Sequence, residues 1–341
     1  MRNYIIRRLL LLIPIMILVS FLTHATFRII PGSAAHLICG ISCTEETVAA
    51  IEEEYGLDKN FFQQYGEWLG VYPDDDAGDS KIPIIGVRGK FSGVLQGDFG
   101  VSFLNTGQTV VDRLGRTMPV TLELLALSLL FAVVLGIPPG VLSAIRPGSM
   151  ADLVVRMTSV AWLSVPNFYL AILVIAIGSN QFGWLPPNFA TGKAVGFFED
   201  PIQNLETFFF PSLVLSLGIA AVIMRLTRSS MLEVMRNDYV RTAWSKGLKE
   251  RTVVWRHALK NAMIPVLTII GLQVGALIGG AVLIENVFAL NGMGRYLLVS
   301  VIGRDLLVVQ SLVLIFAIVF VIINLVVDVL YAWLDPRIRY G

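Results

Sequence analysis

The chain has 341 residues, of which 55% are hydrophobic and 15% are charged, and its formal net charge is +1. This apolar fraction exceeds what a water-soluble domain needs to fill its core, so it excludes that class and predicts a membrane protein. A bilayer core of about 30 Å is crossed by roughly 20 apolar residues in a helix. Stretches that reach or approach this length cover residues 7–30, 119–145, 153–178, 208–228, 263–287 and 306–334. The predicted fold class is therefore an all-α membrane protein with six transmembrane helices.

The first apolar stretch and the charged connections predict the orientation in the membrane. No small-residue cleavage site follows the first stretch, so we expect a retained helix rather than a signal peptide. Lys and Arg accumulate in cytoplasmic connections, and both termini and the basic 225–260 run fall on that side when the amino terminus is inside. The predicted organisation is a tail and first helix over 1–30, an extracytoplasmic segment over 31–118 and a five-helix core over 119–341.

The extracytoplasmic segment is too long for a simple turn between two helices. In EETVAAIEEEYGLDKNFFQQYGEWL, residues 45–69, apolar residues recur at helical spacing on both sides of Gly56, which predicts two short amphipathic helices. The run over 73–93, rich in Pro, Gly and Asp, is typical of a loop. Cys39 and Cys43 lie together on the oxidising side, where a local disulfide or two unpaired thiols are both open.

The most basic run of the chain is RTAWSKGLKERTVVWRHALKNA, residues 241–262. Its start predicts a short helix, which Gly247 ends in the left-handed conformation. The i, i+3, i+4, i+7 rule gives this helix a small apolar face, formed by Val240, Ala243, Trp244 and Gly247. A second short helix is predicted before Pro265, with an apolar side formed by Val254, Trp255, Ala258, Leu259 and Ala262.

Three functions compete for this pair of helices. Anchoring to anionic headgroups accounts for the charge, but not for the break at Gly247 or for the apolar stripe. A nucleic-acid helix-turn-helix needs a free domain, whereas these helices are tethered to the membrane on both sides. The remaining interpretation is a docking element, in which an amphipathic helix enters the groove of a cytoplasmic partner.

The run resembles the "EAA" coupling loop of the membrane subunits of binding-protein-dependent ABC importers, in the version of oligopeptide and dipeptide permeases. Against the general importer pattern, Arg241 and Thr242 replace Glu and the first Ala, and Lys260 replaces a Pro, as is typical of the peptide branch. The likeness covers residues 1–30 and 100–341, although Asn291 stands where the family usually has Pro. The coupling positions that match are Tyr239, Val240, Arg241, Thr242, Ala243, Lys246, Gly247, Leu248, Arg251, Val253, Arg256, His257, Ala258, Leu259, Asn261, Ala262 and Pro265.

The resemblance implies a permease with a type I ABC importer fold in a prokaryotic cell membrane, paired with a second related permease. The sequence contains no GxxxxGK[ST] phosphate loop, so the chain is expected not to be an enzyme and to bind no cofactor, and two partner ATPases would hydrolyse Mg-ATP. An extracytoplasmic binding protein would deliver di- or oligopeptides, with nickel, glutathione or another small solute as the alternative. The coupling helices over 238–262 would contact the ATPase through Arg241, Thr242, Ala243, Trp244, Lys246, Gly247, Leu248 and Arg251.

The apolar stretches also contain candidates for helix packing or for the translocation pathway. Gly271, Gly275 and Gly279 recur at four-residue spacing, which lets another helix approach closely. We expect that helix to belong to the sister subunit, with packing inside this chain as the alternative. Polar pathway candidates are Glu123, Gln273, Glu285 and Asn324, and the two glutamates have a hydrated membrane boundary as their alternative position.

Two other transporter classes fit the sequence less well. A secondary carrier would need paired interrupted helices in two halves of the chain, which the sequence does not show. A self-sufficient channel is compatible with the composition, but it would have no use for the docking element. No metal site is expected, because the three histidines are far apart in the sequence.

Overall fold

The computed structural model describes the whole chain except residues 1, 30–34, 36–38, 40–42, 55, 74–78, 82–87, 91, 103–107, 193 and 335–341. The chain divides into two compact units. Unit 1 contains Val120–Arg295 and Val319–Gly341 with the amino-terminal Met1–Arg8, and unit 2 contains Leu9–Pro119 and Tyr296–Ile318.

The described residues are mainly helical. A short 3-10 turn is formed by Val94–Gln96. The α-helices in chain order are α1 (Arg2–Ile29), α2 (Glu45–Glu54), α3 (Phe61–Leu69), α4 (Val110–Ile145), α5 (Met150–Ser164), α6 (Asn167–Phe182), α7 (Asn188–Thr191), α8 (Pro201–Val234), α9 (Asp238–Ser245), α10 (Glu250–Val287), α11 (Met293–Ile302) and α12 (Leu306–Leu334).

A small hairpin departs from the all-α prediction. Strands β1 (Asp79–Lys81) and β2 (Arg88–Lys90) pair antiparallel. Their register places Ser80 opposite Gly89. The prediction of a loop over 73–93 is therefore wrong for the six residues of these strands.

Several helices are long and apolar enough to cross a membrane. In the described part of the chain these are α4, α8, α10 and the Leu306–Val327 part of α12. Helices α5 and α6 pass the same test only together, as a pair bent by 96°, so the described residues contain four candidate spans, or five with the bent pair. The Leu10–Thr26 part of α1 is a shorter apolar helix.

The bend between α5 and α6 corrects the prediction of one helix over 153–178. Val165 is extended, with φ −108° and ψ 125°, and Pro166 follows it. Proline has no N–H and disfavours the helical region for the residue before it, so the first helix ends there. The prolines that lie inside helices include Pro14, Pro211 and Pro265.

Helix α8 is central to unit 1, because α5, α6 and α10 all pack against it. Its first turn is capped by Asp200, whose side chain accepts hydrogen bonds from the backbone N–H groups of Ile202 and Gln203 at 3.1 Å each. Helix α4 also approaches it closely at Gly140. A Cβ added there would lie 2.7 Å from the carbonyl oxygen of Met224 and 2.8 Å from Cβ of Thr227.

Unit 2 contains the two amphipathic helices predicted from the sequence, and their presence as α2 and α3 confirms that prediction. Asn60 caps α3 by accepting a hydrogen bond from the backbone of Gln63 at 2.9 Å. The hydroxyls of Tyr65 in α3 and Ser20 in α1 lie 2.9 Å apart, so the two helices are joined. Cys39 and Cys43 form a disulfide with their Cα atoms 5.7 Å apart.

Candidate functional site

The coupling segment, defined as residues 238–262, starts with the short helix α9. The helix ends at Ser245, and Gly247 follows with φ +74°, which confirms the left-handed conformation predicted for that glycine. A Cβ added to Gly247 would meet no atom within 4 Å. The glycine is therefore required by the backbone conformation and not by a close neighbour.

The second half of the coupling segment is not a separate helix. It is the beginning of α10, which passes through a π-helical turn at Val253–Ala258 and continues without a break as far as Val287. The prediction of an independent second helix before Pro265 is therefore wrong. A π turn widens the helix by one residue, so the apolar pattern changes register within it.

This change of register decides which side chains of the segment are buried. Val253 and Val254 are both buried, whereas Trp255, predicted on the apolar side, is 50% exposed. Ala258 and Ala262 are buried as predicted. The prediction assumed an uninterrupted period of 3.6 residues, which a π turn does not follow.

Two apolar clusters attach the coupling segment to the membrane helices. Val240 and Ala243 of α9 pack with Val253 of α10 and with Val234 and Met235 at the end of α8. The second cluster joins α4, α8 and α10 through Val141, Ala144, Met231, Val254, Ala258 and Ala262.

A hydrogen bond adds a third link between the two halves of the segment. The side-chain amide of Asn261 donates to the hydroxyl of Tyr239 at 2.8 Å. Because the two halves share this bond and the apolar cluster around Val240, they form one packed element that is continuous with α10.

The outer surface of the coupling segment is aromatic and basic. Trp244 is 42% exposed and Leu248 is 37% exposed. Arg241, Thr242, Lys246 and Arg251 are also exposed, whereas Ala243 is buried inside the segment. Residues 236–260 contain seven Lys or Arg and two Asp or Glu, which leaves a net charge of 7 − 2 = +5. The surface therefore suits a partner with an apolar groove and an acidic rim.

An ion pair with a buried carboxylate, not predicted from the sequence, lies near this segment. Asp152 of α5 is 1% exposed, and Arg228 of α8 donates to its two carboxylate oxygens, from Nε at 2.7 Å and from Nη2 at 3.1 Å. Ser143 of α4 and the backbone of Gly148 also donate to this carboxylate. The available signal was the position of both charges at the borders of apolar stretches, where ionisable residues need partners.

Glu285 is fully buried at the other end of α10, close to the start of α11. Its carboxylate accepts hydrogen bonds from the hydroxyl of Thr121 at 2.6 Å and from the backbone of Arg295 at 2.9 Å. The Thr121 hydroxyl accepts in turn from the backbone of Met293 at 2.8 Å. A carboxylate at a helix amino terminus satisfies N–H groups that have no partner within the helix. In this structure Glu285 holds α4, α10 and α11 together.

Comparison with known proteins identifies the family. Residues 136–340 match the family described as "Binding-protein-dependent transport system inner membrane component", and residues 1–125 match its amino-terminal counterpart. The chain belongs to this family. It is a multi-pass permease of an ABC importer in the inner membrane, as the sequence predicted.

Curated relatives cover the permease over its whole length. The dipeptide transport system permease protein DppB of Alkalihalophilus pseudofirmus is 36% identical, over 100% of both chains. The glutathione transport system permease protein GsiC of Escherichia coli K12 is 37% identical, also over 100% of both chains. Among solved structures, a chain of the inward-facing MetNI methionine ABC transporter aligns with a TM-score of 0.49 and 18% identity, over 66% of this chain and 96% of that chain.

Two of the three glycines predicted to pack against another helix, Gly271 and Gly275, pack within the permease itself. A Cβ added to Gly271 would lie 3.2 Å from Val327, and one added to Gly275 would lie 3.3 Å from Phe320. Both neighbours belong to α12, which corrects the expectation of packing against the sister subunit for these two glycines. Gly279 has no neighbour within 4 Å of its added Cβ.

The remaining pathway candidates of the permease are not joined to one another. Glu123, Gln273 and Asn324 are all partly buried. The Asn324 amide donates to the carbonyl of Phe320 at 3.0 Å, within α12. Among the described residues, no hydrogen bond or ion pair links any two of these three side chains.

Asn291, which replaces the proline usual in the family, stabilises the turn before α11. Its side-chain oxygen accepts a hydrogen bond from Arg295 Nη1 at 3.1 Å, and its amide donates to the carbonyl of Gly192. Arg295 Nη1 also donates to the carbonyl of Ala289, which has φ +52°. An asparagine at this position therefore fixes the turn by hydrogen bonds instead of by a proline ring.

Proposed function

We infer that the permease is half of the translocation pathway of a peptide importer, working as a heterodimer with a second related membrane subunit. The observation that carries this proposal is the coupling segment, which exposes Trp244 and Leu248 in a basic surface while its inner side is packed against α8 and α4. Such an element receives force from a cytoplasmic partner and passes it to the membrane helices.

The proposed arrangement has six spans with both termini in the cytoplasm. Helices α4, α8, α10 and α12 would supply four, the bent pair α5–α6 a fifth and α1 a sixth. Helix α1 has 28 residues, enough for about 42 Å at 1.5 Å per residue, although its apolar part is shorter. This orientation places the basic coupling segment inside, where Lys and Arg accumulate.

Energy for transport would come from two partner ATPases. The sequence contains no P-loop motif, so the nucleotide and its Mg²⁺ would bind on those subunits. Closure of the ATPases would move the coupling segment as a rigid body, because the Tyr239–Asn261 hydrogen bond and the apolar clusters hold its two halves together. The continuous helix α10 would then carry the movement across the membrane.

Peptides are the substrate class that the relatives favour. One of the relatives is named for dipeptide and the other for glutathione, and both solutes contain peptide bonds. An extracytoplasmic binding protein would select the solute, which leaves the pathway free to accept several peptides. An importer dedicated to glutathione alone, to nickel or to another small solute remains the second candidate.

Affinity purification and transport measurements together test the proposal. The permease is purified from its native membranes through a carboxyl-terminal tag, and the proteins that accompany it are identified by mass spectrometry. We expect a second permease, P-loop ATPases and a binding protein. Recovery of the permease alone, in detergents that keep other ABC importers intact, would contradict the heterodimer and the ATPase partners.

Two surface variants test the docking role of the coupling segment. Trp244→Ala is expected to reduce the ATPase recovered with the permease at least tenfold, because a half-exposed Trp in a docking surface is a strong binding residue. Trp255→Ala is the control, because it removes a similarly exposed Trp that lies after the expected ATPase contacts over 241–251, and it should leave the recovery of the ATPase unchanged. Uptake of labelled dipeptide, glutathione and nickel by reconstituted complex then identifies the substrate class.

A further inference from the structure

Helix α5 packs against α8 without a fully buried apolar side chain of its own. Of its fifteen residues only Asp152 and Ser159 are buried, so the helix has no fully buried apolar side chain. The bonds of Asp152 are therefore the buried side-chain contacts of the first turn of α5. Apolar contacts tolerate small rotations, whereas hydrogen bonds fix a direction.

Three helices, α4, α5 and α8, are joined by hydrogen bonds at the Asp152 carboxylate. Arg228 of α8 approaches with two nitrogens, one on each carboxylate oxygen, and this fork sets the angle between α5 and α8. Ser143 of α4 donates to the same oxygen as Arg228 Nε, and it also accepts from that Nε at 3.0 Å. Arg156 lies 3.5 Å from the carboxylate, but its side chain is 52% exposed.

The ion pair is adjacent to the cluster that holds the coupling segment. On α8, Met231 lies one turn after Arg228, and on α4, Val141 and Ala144 flank Ser143 in sequence. These three apolar residues pack against Val254 and Ala258 of the coupling segment. The apolar cluster thus joins the coupling segment to α4 and α8, and the ion pair extends that connection to α5.

We propose that the Asp152–Arg228 ion pair is a positioning joint, which passes the movement of the coupling segment to α5 and so to the bent pair α5–α6. This inference rests on the proposed function, in which partner ATPases move the coupling segment. Asp152 and Arg228 act by holding α5 in register with α8 during the movement. They are positioning residues and are not proposed to touch the solute.

The decisive measurement is the number of solute molecules imported per ATP hydrolysed, in proteoliposomes that contain the whole complex, its binding protein and labelled dipeptide. Arg228→Lys keeps the charge but removes the fork. Asp152→Asn keeps the size of the side chain but removes its charge. We expect ATP hydrolysis to continue in both variants while import per ATP falls about fivefold in the first and at least tenfold in the second.

A matched control and a thermal measurement separate positioning from stability. Arg156→Gln removes the exposed basic neighbour of the same carboxylate, and we expect its import per ATP to stay within twofold of the unmodified complex. A purely structural ion pair would lower the thermal midpoint of the complex and leave import per ATP unchanged in Arg228→Lys, and that result would overturn the proposal. If Asp152→Asn does not assemble, Arg228→Lys decides the question alone.

The outcome also separates this inference from the proposed function. Absence of coupled peptide import in the unmodified complex would contradict the proposed function itself. If the unmodified complex imports peptide and both Arg228→Lys and Asp152→Asn import as many solute molecules per ATP as it does, only the positioning joint is contradicted.

Discussion

Replacement of Glu285 by glutamine tests the assignment of this residue as a structural carboxylate. The substitution changes only the charge and the hydrogen-bonding character of one end of the side chain. The carboxylate faces donors on both oxygens, the hydroxyl of Thr121 and the backbone N–H of Arg295. The amide nitrogen of a glutamine is also a donor, so one of these two groups would lose its acceptor.

The expected cost follows from the contacts that change. A hydrogen bond to a charged group contributes about 1.5–3 kcal/mol, and a buried donor left without an acceptor costs about 1–3 kcal/mol. These two values describe the same lost contact, so we expect Glu285→Gln to reduce the free energy of unfolding by about 2 kcal/mol. Water can replace part of the lost contact wherever the amino-terminal turn of α11 is exposed, so this value is an upper limit for the loss of unfolding free energy.

Thermal unfolding of the purified complex measures this effect. We expect the midpoint of Glu285→Gln to fall by a few degrees. Glu123→Gln is the matched control, since it makes the same chemical change on a partly buried side chain of α4, and its midpoint should change by less. Equal midpoints for the two variants would refute the assignment of Glu285 as the residue that holds α11.

Two glycine substitutions give further predictions, each with a control. Gly247→Val should abolish peptide uptake while the permease stays in the membrane, because a β-branched residue is strained at φ +74°. Gly247→Asn should retain most uptake, since Asn tolerates the left-handed region. Normal uptake in the valine variant would show that the turn is not needed. Gly140→Ala should destabilise the permease by about 1–3 kcal/mol, since its Cβ would lie 2.8 Å from Cβ of Thr227. Gly115→Ala, whose Cβ would meet no atom within 4 Å, should leave the thermal midpoint unchanged or slightly raised, and equal losses in the two alanine variants would contradict the close approach of α4 to α8.

Local sequence patterns predicted the features of the coupling segment that depend on neighbouring residues. The left-handed Gly247 follows from the chemistry of helix ends. Helical spacing placed Val240, Ala243 and Trp244 on one apolar face for a partner, but in the structure Val240 and Ala243 pack inside this chain and only Trp244 of the three is exposed. Trp255 was wrongly predicted on the apolar side because the spacing rule assumes a regular helix, and no single residue type predicts a π turn.

Features that depend on distant residues were not predictable in the same way. Pro166 interrupts its helix whereas Pro265 lies within one, and the difference depends on the packing around each proline and not on the residue itself. Asp152 and Arg228 are 76 residues apart, so no local pattern shows that they meet. The spacing of Gly271 and Gly275 also did not show which helix packs against them, and in the structure that helix is α12 of the same chain.

The bend between α5 and α6 limits what can surround this part of the permease. Where a helix ends, the carbonyl groups of its last turn lose their partners in the helix. The Trp162 carbonyl is one of these, because the residue four positions later is Pro166, which has no N–H to donate. Hydrocarbon chains offer no hydrogen bonds, so such a carbonyl requires water or a protein group as its partner. We therefore expect the corner at Val165 and Pro166 to face water or another protein, and not lipid tails, in the assembled transporter.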